Sequence, residues 1–346
     1  MKKTLKHLIP AGHIYMRDNV LAKDNLAGAN EDKSAWANQL NLPHKAEYTF
    51  FAGCGYQFMK YTETMLEAAR GMESVGIKLD KVMGLNRALK KVGLNLADAA
   101  AKIMTDPKED HYTKVLHSAV SVLQKLGVDL GYLHQDEPCC GSPMYYAGFK
   151  EDYLKNAARN FGIFRSFGVK KIIGLIPACT AALKYAYPAL VKDYDLKVWH
   201  FFEIVAAKLK EADLKPMLSE KTVITYHDPC QLARYLNIVD EPREIIGRIA
   251  NLELVEPLPE KSREWTTCCG GGGLEASNQK LAERLGSNRA DELLATGASI
   301  IVTSCPACLK QLRQSLKKKN PQVKVMDLIE LIDQALLNAP EQSPKR

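Results

Sequence analysis

The nine cysteines of this chain follow one pattern that occurs twice. In the first half the pattern consists of Cys54, Cys139, Cys140 and Cys179. In the second half it consists of Cys230, Cys268, Cys269 and Cys308. The last three members of the two sets are related by a constant shift of 129 residues. The ninth cysteine is Cys305, and Ile176 stands at its equivalent position in the first half. A chain that places every thiol in a duplicated pattern is expected to fold as two similar halves, each with a metal or redox site.

The secondary structure predicted around the cysteines repeats in the same order. In the second half, strands are predicted at 222–226 and 298–303, and helices from Leu274 to about Leu294 and from Cys305 to Lys319. A further helix is predicted after Cys230, through residues 245–246. In the first half, residues 48–51 and 170–175 repeat the strands. The sequence therefore predicts an α/β fold of two tandem Rossmann-like βα domains related by internal duplication.

The repeat divides the chain into four predicted segments. Residues 1–44 form an N-terminal extension of irregular pattern, with Trp36 and Leu42 as its anchors to the body. The first domain covers 45–215, the second covers 220–336, and 337–346 form a flexible tail. The leading cysteine of the first half lies about 47 residues further from its cysteine pair than that of the second half. We therefore expect an insertion at about 71–113, whose apolar residues have the spacing of a helical hairpin.

Composition narrows the setting of the protein. At 346 residues, with 46% hydrophobic and 25% charged residues, the chain suits a globular protein of two domains. No apolar run reaches the roughly 18 residues of a membrane span, and charged residues interrupt any signal-peptide core near the N-terminus. The net charge of +7 is spread along the chain, which gives nucleic-acid binding little support. We expect a cytoplasmic protein, where clustered thiols bind metal more often than they form disulfides.

The cysteines are predicted to lie where strands end and helices begin. In βα architectures these positions meet at the carboxyl edge of the sheet, where ligands bind. Helix N-termini there offer free N–H groups and a positive dipole end to negatively charged thiolates. The four glycines at 270–273 let the backbone approach a bulky cofactor.

The spacing favours an iron–sulfur cluster over its alternatives. Structural zinc usually takes four thiolates from two Cys-x2-Cys hooks, and this chain has one such hook, Cys305 with Cys308. The adjacent pair Cys268–Cys269 suits several irons better than one small ion, because neighbouring side chains diverge. A disulfide between adjacent cysteines is strained, and a duplicated one is not expected.

The order Cys, Cys-Cys-Gly, Cys-x2-Cys, occurring twice, resembles the cysteine-rich CCG domain in the family of the heterodisulfide reductase B subunit. The resemblance covers about residues 45–336. It implies that a non-cubane [4Fe–4S] cluster is bound by the five second-half cysteines, which are Cys230, Cys268, Cys269, Cys305 and Cys308. It also implies disulfide reduction or electron transfer as the activity.

The chain departs from that family at two positions. With Ile176 in place of a cysteine, four thiols remain at the first site, which are Cys54, Cys139, Cys140 and Cys179. Four thiolates suit a second iron–sulfur cluster of another type, or zinc. Cys230 is followed by Gln231 where relatives often carry histidine. His227 is then the candidate catalytic residue, as a donor to a cluster sulfur or to a departing thiolate, with helix capping as the alternative. His200, in an apolar run, is expected to be a core residue.

The expected function is that of an iron–sulfur subunit in a heterodisulfide-reductase-like complex, reducing a disulfide or oxidising a thiol in sulfur metabolism. The sequence has no ferredoxin cysteine run and no G-x-G-x-x-G fingerprint, so electrons must be exchanged with other proteins. The resemblance implies two partners, which are a ferredoxin-like protein similar to the C subunit of heterodisulfide reductase and a flavoprotein similar to its A subunit. The disulfide or thiol substrate could be carried on a protein. The alternatives are a non-catalytic electron-transfer subunit of a dehydrogenase or quinone-linked complex, and a zinc-stabilised scaffold.

Overall fold

The computed structural model describes residues 9–26, 33–74, 110–212 and 214–339, and it contains two four-stranded sheets. The strands of the first sheet are β1 (Tyr48–Phe51), β2 (Leu130–Tyr132), β3 (Lys171–Gly174) and β4 (Lys197–His200). Those of the second are β5 (Met217–Tyr226), β6 (Ala250–Leu254), β7 (Ile300–Thr303) and β8 (Lys324–Asp327). All pairings are parallel, and the orders β2-β1-β3-β4 and β6-β5-β7-β8 are equivalent. The α/β class is confirmed.

The central strands are rich in aromatic and β-branched residues because both faces of a parallel sheet are covered. Three of the four residues are buried in β1 (Tyr-Thr-Phe-Phe) and in β7 (Ile-Ile-Val-Thr). Thr49 pairs with Gly131 on one side and Ile172 on the other, and Ile224 pairs with Leu254 and Ile300 in the same way. The equivalent registers place the carboxyl ends of β1 and β3, and of β5 and β7, side by side.

Helices connect the strands and cover the sheets. Among the described residues between 54 and 166 they are Cys54–Gln57, Met59–Ser74, His111–Lys125, Ser142–Tyr146 and Lys150–Ser166. Pro177–Ala181 continues through a π-helical turn, Ala182–Ala186, into Tyr187–Leu190, and Phe201–Glu211 completes the first half. The second half contains the π-helical turn Gln231–Tyr235 and the helices Asp240–Arg248, Gly273–Ser277, Gln279–Leu294, Pro306–Lys319 and Leu328–Leu337. None of the described helices has the length and apolarity of a membrane span.

Two predicted helices are interrupted. The helix predicted from Leu274 to Leu294 is broken at Asn278, which has an extended backbone and accepts a hydrogen bond from the backbone N–H of Leu281. The helix predicted after Cys230 is divided near Asn237, whose φ of 56° is incompatible with a right-handed helix. In both cases an asparagine ends or begins a helix, as its short polar side chain favours.

The expectation that residues 1–44 are irregular is wrong for residues 11–23, whereas the described residues 33–44 form turns and one short 3-10 turn. Ala11–Lys23 is a helix of 13 residues, and it packs against both Ser142–Tyr146 and Gly273–Ser277. His13 Nε2 lies 2.5 Å from Ser277 Oγ. Trp36 and Leu42 are buried in the core, which confirms them as anchors.

One hydrophobic core runs through both halves. The helix His111–Lys125 of the first half packs against Leu328–Leu337 of the second. At their edge, Asp333 Oδ1 accepts hydrogen bonds from Ser121 Oγ at 2.7 Å and Lys125 Nζ at 2.9 Å. Most of the predicted insertion, and the end of the predicted tail, lie outside the described residues.

Candidate metal centres

The nine cysteines, all in the described part of the chain, are free thiols at the carboxyl edges of the two sheets. In the first half, Cys54 begins a helix just after β1, and Cys179 lies in the helix that follows β3. The pair Cys139–Cys140 lies in the loop between β2 and the helix Ser142–Tyr146. The placement at strand ends and helix starts is as predicted.

The four thiols of the first site converge and are buried. Cys54 Sγ lies 3.4 Å from Cys139 Sγ, and Cys140 Sγ lies 3.1 Å from Cys179 Sγ. None of the four is more than 6% exposed. Gly53 has a φ of 64°, and a Cβ there would lie 2.9 Å from Cys179 Sγ. Only glycine allows the chain to pass this close to the thiols.

Buried hydrogen bonds hold the first-site loops in place. The amides of Asn156 and Asn160 donate to the carbonyl of Cys139 at 3.0 and 2.7 Å. The Tyr187 hydroxyl donates to the carbonyl of Cys140 at 3.1 Å. The Glu137 carboxylate accepts from the N–H groups of residues 52 and 53, at 2.8 and 3.0 Å. The pKa of Glu137 is raised to about 8, mainly by burial, although Lys33 and these donors lower it.

Ile176 fills the position where the second half has Cys305. Its Cδ1 would lie 2.7 Å from a Cβ at Gly55 and 3.0 Å from a Cβ at Gly53, so it packs against the turn that contains Cys54. Ile176 is 6% exposed. The first site is therefore a closed set of four thiols with an apolar wall.

The second site combines five thiols with several N–H donors. Cys269 Sγ and Cys308 Sγ are 3.2 Å apart. The backbone N–H groups of Gly270 and Gly271 donate to the sulfurs of Cys268 and Cys269 at 3.3 and 3.4 Å. Cβ atoms at these glycines would collide with the carbonyls of Ala282 and Ala307. The glycines therefore both donate and let the loop lie against its neighbouring helices.

The five second-site thiols differ in exposure and in acidity. Cys269 and Cys308 are buried, Cys230 and Cys305 are intermediate, and Cys268 is exposed. The pKa of Cys230 is raised to about 12 by burial and then by the negative charges of Cys269, Cys305 and Cys268. The pKa of Cys305 is lowered by a hydrogen bond from Cys308 and by the N–H groups that begin its helix.

His227 lies beside the second site in a fixed orientation. One of its ring nitrogens is within 4.8 Å of the sulfurs of Cys269 and Cys308. Nδ1 accepts a hydrogen bond from Arg289 Nε at 3.0 Å, so in the neutral ring the proton is on Nε2. Nε2 is buried without a partner among the described residues. The pKa of His227 is lowered well below its ordinary value, by burial and then by the Arg289 charge.

Arg289 is a functional candidate that the sequence pattern does not reveal. Its side chain is fully buried, and Nη1 donates to the Lys261 carbonyl at 2.8 Å and the Thr267 hydroxyl at 3.1 Å and pairs with Glu292 at 2.9 Å. In the sequence, the one sign of this role is Glu292, which follows Arg289 by three residues and can pair with it on a helix.

His200 is a core residue, as expected. Its Nδ1 caps the following helix by accepting a hydrogen bond from the backbone N–H of Phe202 at 3.2 Å.

A second contact that the sequence pattern does not reveal joins the two halves at the site. The Tyr56 hydroxyl, two residues after Cys54, donates to Asp327 Oδ2 at 2.5 Å. Both side chains are fully buried, and Asp327 also caps the last helix of the second half. Burial raises the pKa of Asp327 to about 8, and the neighbouring Glu330 and Cys305 charges contribute to the increase. The cysteine turn of one half is thus fixed directly to the other half.

The residues at these sites fit a polythiolate-bound metal cluster. The thiols converge without forming disulfides, N–H groups point at the sulfurs, and His227 presents an unpartnered N–H nearby. A cluster held by several thiolates carries net negative charge, which such donors stabilise.

Two stretches of the chain, 103–184 and 224–313, match the CCG family, described as "Cysteine-rich domain". The second stretch contains all five second-half cysteines, whereas Cys54 lies outside the first. An EtfAB:quinone oxidoreductase from Syntrophomonas wolfei is 34% identical over 66% of this chain and 33% of its own length. The D subunit of the dihydromethanophenazine:CoB–CoM heterodisulfide reductase from Methanosarcina barkeri is 32% identical over 62% of this chain and 53% of its own length.

The chain spans about a third to a half of the length of these curated relatives. A crystal structure of a hypothetical protein from Helicobacter pylori aligns with a TM-score of 0.47 and 14% identity, over 64% of this chain and 45% of that one. The resemblance to heterodisulfide reductase that the cysteine pattern predicts is confirmed by the named relatives. Each half of the chain therefore contains one copy of the CCG cysteine-rich domain.

Proposed function

We propose that the chain is the iron–sulfur subunit of a heterodisulfide-reductase-like oxidoreductase, with one cluster in each of two tandem domains, 45–215 and 220–336. The convergence of nine free thiols at the carboxyl edges of two parallel sheets carries this proposal. The five second-half cysteines would hold a non-cubane [4Fe–4S] cluster, and the four of the first half another iron–sulfur cluster. When bound, the clusters supply one-electron redox chemistry.

The protein's own groups prepare each site for a negatively charged cofactor. Gly270 and Gly271 direct N–H groups at two sulfurs. A hydrogen bond from Cys308, and then the N–H groups at the start of the helix Pro306–Lys319, lower the pKa of the Cys305 thiol. Burial excludes water from the first site, where all four thiols are nearly inaccessible. His227 holds a proton on Nε2, and its ring lies beside Cys269 and Cys308. These groups bind and orient the cofactor, and they place a hydrogen-bond donor where sulfur carries charge.

We propose a disulfide or thiol as the substrate, with electrons exchanged through partner proteins. A relative named as part of a heterodisulfide reductase supports this assignment. The chain has no ferredoxin motif and no dinucleotide fingerprint. The resemblance to heterodisulfide reductase supports a ferredoxin-like protein and a flavoprotein as the proposed partners.

Metal analysis and spectroscopy test the proposal. Protein purified without oxygen should be brown and contain iron at both sites, and a thiol or disulfide should produce a new paramagnetic signal in the oxidised protein. A colourless protein that contains only zinc would instead support the scaffold alternative. The Cys305→Ser variant is the matched control, because the new signal should disappear when the second site is damaged.

A second candidate function is electron transfer without disulfide chemistry, in a quinone-linked complex. The relative named as a quinone oxidoreductase favours it. A loaded protein whose clusters exchange electrons with a partner, and whose spectrum is unchanged by every thiol tested, would select this function over the first.

A further inference from the structure

A cleft of about 410 Å³ lies where the two halves meet, beside the first cysteine site. Its lining consists of five tyrosines, four alanines, Ser142 and Arg234. Ser142 Oγ lies 3.2 Å from Cys140 Sγ, and Ala181 belongs to the helix that contains Cys179. One end of the cleft therefore reaches the first-site thiols, and its volume lies in the range of small-molecule sites.

Residues of both halves build the cleft. The rings of Tyr146, from the first half, and Tyr235, from the second, meet edge to face with centroids 6.1 Å apart. The Tyr146 hydroxyl donates to Gln231 Oε1, also in the second half, at 2.8 Å. Gln231 directly follows Cys230, so the cleft joins the surroundings of both cysteine sites.

Tyr153 contributes an unsatisfied donor to the cleft. Its side chain is 1% exposed, and its hydroxyl has no hydrogen-bond partner among the described residues. Burial raises the pKa of Tyr153, so the hydroxyl keeps its proton. A buried donor without a partner is uncommon, because it has lost its hydrogen bond to water. A ligand with an acceptor atom would restore that bond.

The rest of the lining is aromatic and almost uncharged. Tyr145, Tyr185 and Tyr235 are 47–52% exposed, which is much aromatic surface to leave in water. Among the lining residues, Arg234 is the one that is charged at neutral pH, and it already donates to the carbonyls of Glu264 and Thr266. A ligand with several negative charges would therefore find few partners here.

We propose that this cleft binds a small, largely apolar molecule with at most one negative charge, which presents a hydrogen-bond acceptor to the Tyr153 hydroxyl. Given the proposed function, on which this assignment rests, the molecule is an apolar-armed disulfide or thiol whose sulfur lies toward the cysteine sites. The tyrosines stack against its apolar arm, and Tyr153 fixes its orientation.

Binding to the cluster-loaded protein tests the assignment. The probes are N,N′-dibenzoylcystamine, an uncharged disulfide with amide carbonyls; oxidised glutathione, a disulfide with several charges; and menadione, an apolar quinone. We expect dibenzoylcystamine to bind at one site per chain, at least tenfold more tightly than oxidised glutathione. The Tyr153→Phe variant removes one hydroxyl and should weaken this binding about tenfold, as expected for one hydrogen bond. Ala189→Trp, at an exposed position of the lining, should abolish it.

The Tyr194→Phe variant is the matched control, because the Tyr194 hydroxyl donates to the Leu183 carbonyl and does not line the cleft. It should bind the probe as the unmodified protein does. The assignment would be overturned if the Tyr153→Phe and Ala189→Trp variants bound dibenzoylcystamine as tightly as the unmodified protein does. A preference of the unmodified protein for oxidised glutathione would also overturn it. If menadione binds with the predicted sensitivity to both variants and dibenzoylcystamine does not bind, the cleft assignment stands and the disulfide function fails.

Discussion

Position 176 shows how much a single residue can separate two copies of one domain. Ile176 and Cys305 are equivalent in the duplicated pattern, yet Ile176, which directly precedes the helix that contains Cys179, packs against the turn at Gly53–Gly55. A branched apolar side chain fills the space at the position where the second half has a thiol. The cysteine pattern predicts that the first site lacks one ligand. It does not predict the close packing of Ile176, because that packing depends on which glycines lie near Ile176 in the fold.

Substitutions at positions 305 and 176 should change the iron content of the protein to different extents. Cys305→Ser removes one of five thiols and should remove most of the iron bound by the second half, or about half of the total. Ile176→Cys adds a thiol beside four that already converge, and should leave the iron content nearly unchanged. Iron and zinc content per chain measures both. If neither variant differs from the unmodified protein, the assignment of the sites is wrong.

Arg289 illustrates a residue whose role depends entirely on the fold. Nothing near it in the sequence connects it with His227, which lies 62 residues earlier. In the fold its buried guanidinium fixes the proton of His227 on Nε2, and one ring nitrogen of His227 lies within 4.8 Å of the sulfurs of Cys269 and Cys308. An N–H donor and a buried positive charge both favour the more negative, reduced state of a bound cluster.

Arg289→Met should therefore lower the midpoint potential of the second cluster. At a fixed potential the ratio of reduced to oxidised cluster should fall about tenfold, as expected for the loss of one hydrogen bond to a charged group. Redox titration followed by electron paramagnetic resonance measures the ratio. His227→Leu should have a similar effect, and the double variant should add little to either. Arg313→Met, a change at an arginine that donates to the Val325 carbonyl, is the control. An unchanged potential in Arg289→Met would contradict the role of the arginine.

At the scale of helices and strands, the sequence predicts best what local pattern determines. The strands β1, β3, β5 and β7, the start of Pro306–Lys319, and the position of most cysteines at a strand end or just before a helix follow from apolar runs and turn residues. The helix Ala11–Lys23 was missed because it lacks a strong apolar face, and its stability comes from packing on two later elements. The breaks at Asn237 and Asn278 were missed because apolar spacing continues across them.

The contact between Tyr56 and Asp327 fixes the first helix after β1 to the last helix of the second half. Tyr56→Phe leaves a buried acidic oxygen without its donor, so the free energy of unfolding should fall by roughly 1–3 kcal/mol. Denaturant unfolding of the metal-free protein measures it, with Tyr194→Phe as a control for the loss of an ordinary hydroxyl. If the free energy of unfolding fell equally in the two variants, the hydrogen bond between Tyr56 and Asp327 would stabilise the protein no more than an ordinary hydroxyl hydrogen bond does.

Asp327 also makes stability depend on pH. Its pKa is raised to about 8 from 3.8, so between these values the folded protein binds a proton that the unfolded chain releases. The contribution of Asp327 to the free energy of unfolding is therefore fully present at low pH, and it is lost as the pH rises toward 8. Asp327→Asn should flatten the dependence of unfolding free energy on pH between about 5 and 8. A slope equal to that of the unmodified protein would exclude Asp327 as its source.

On the scale of the whole molecule, the two sites are equivalent in topology and unequal in access. All four first-site thiols are buried, whereas Cys268 of the second site is exposed. The duplicated sequence predicted two sites but not this inequality, since exposure depends on how the halves and the N-terminal helix pack. Iodoacetamide should label Cys268 of the metal-free protein well before any first-site cysteine. Mass spectrometry of timed samples gives the order, and simultaneous labelling would show that the first site is open in solution.

The helix Ala11–Lys23 also connects the two copies in a way that bears on their assembly. It rests on the segment after Cys140 and on the segment after the 270–273 glycines. If a bound cofactor orders one of these segments, it also stabilises the helix Ala11–Lys23, which in turn packs on the other segment. Because such coupling is reciprocal, filling either half should raise the cofactor affinity of the other. Chains loaded in only one half should then be scarcer than independent filling of the two proposed sites would produce.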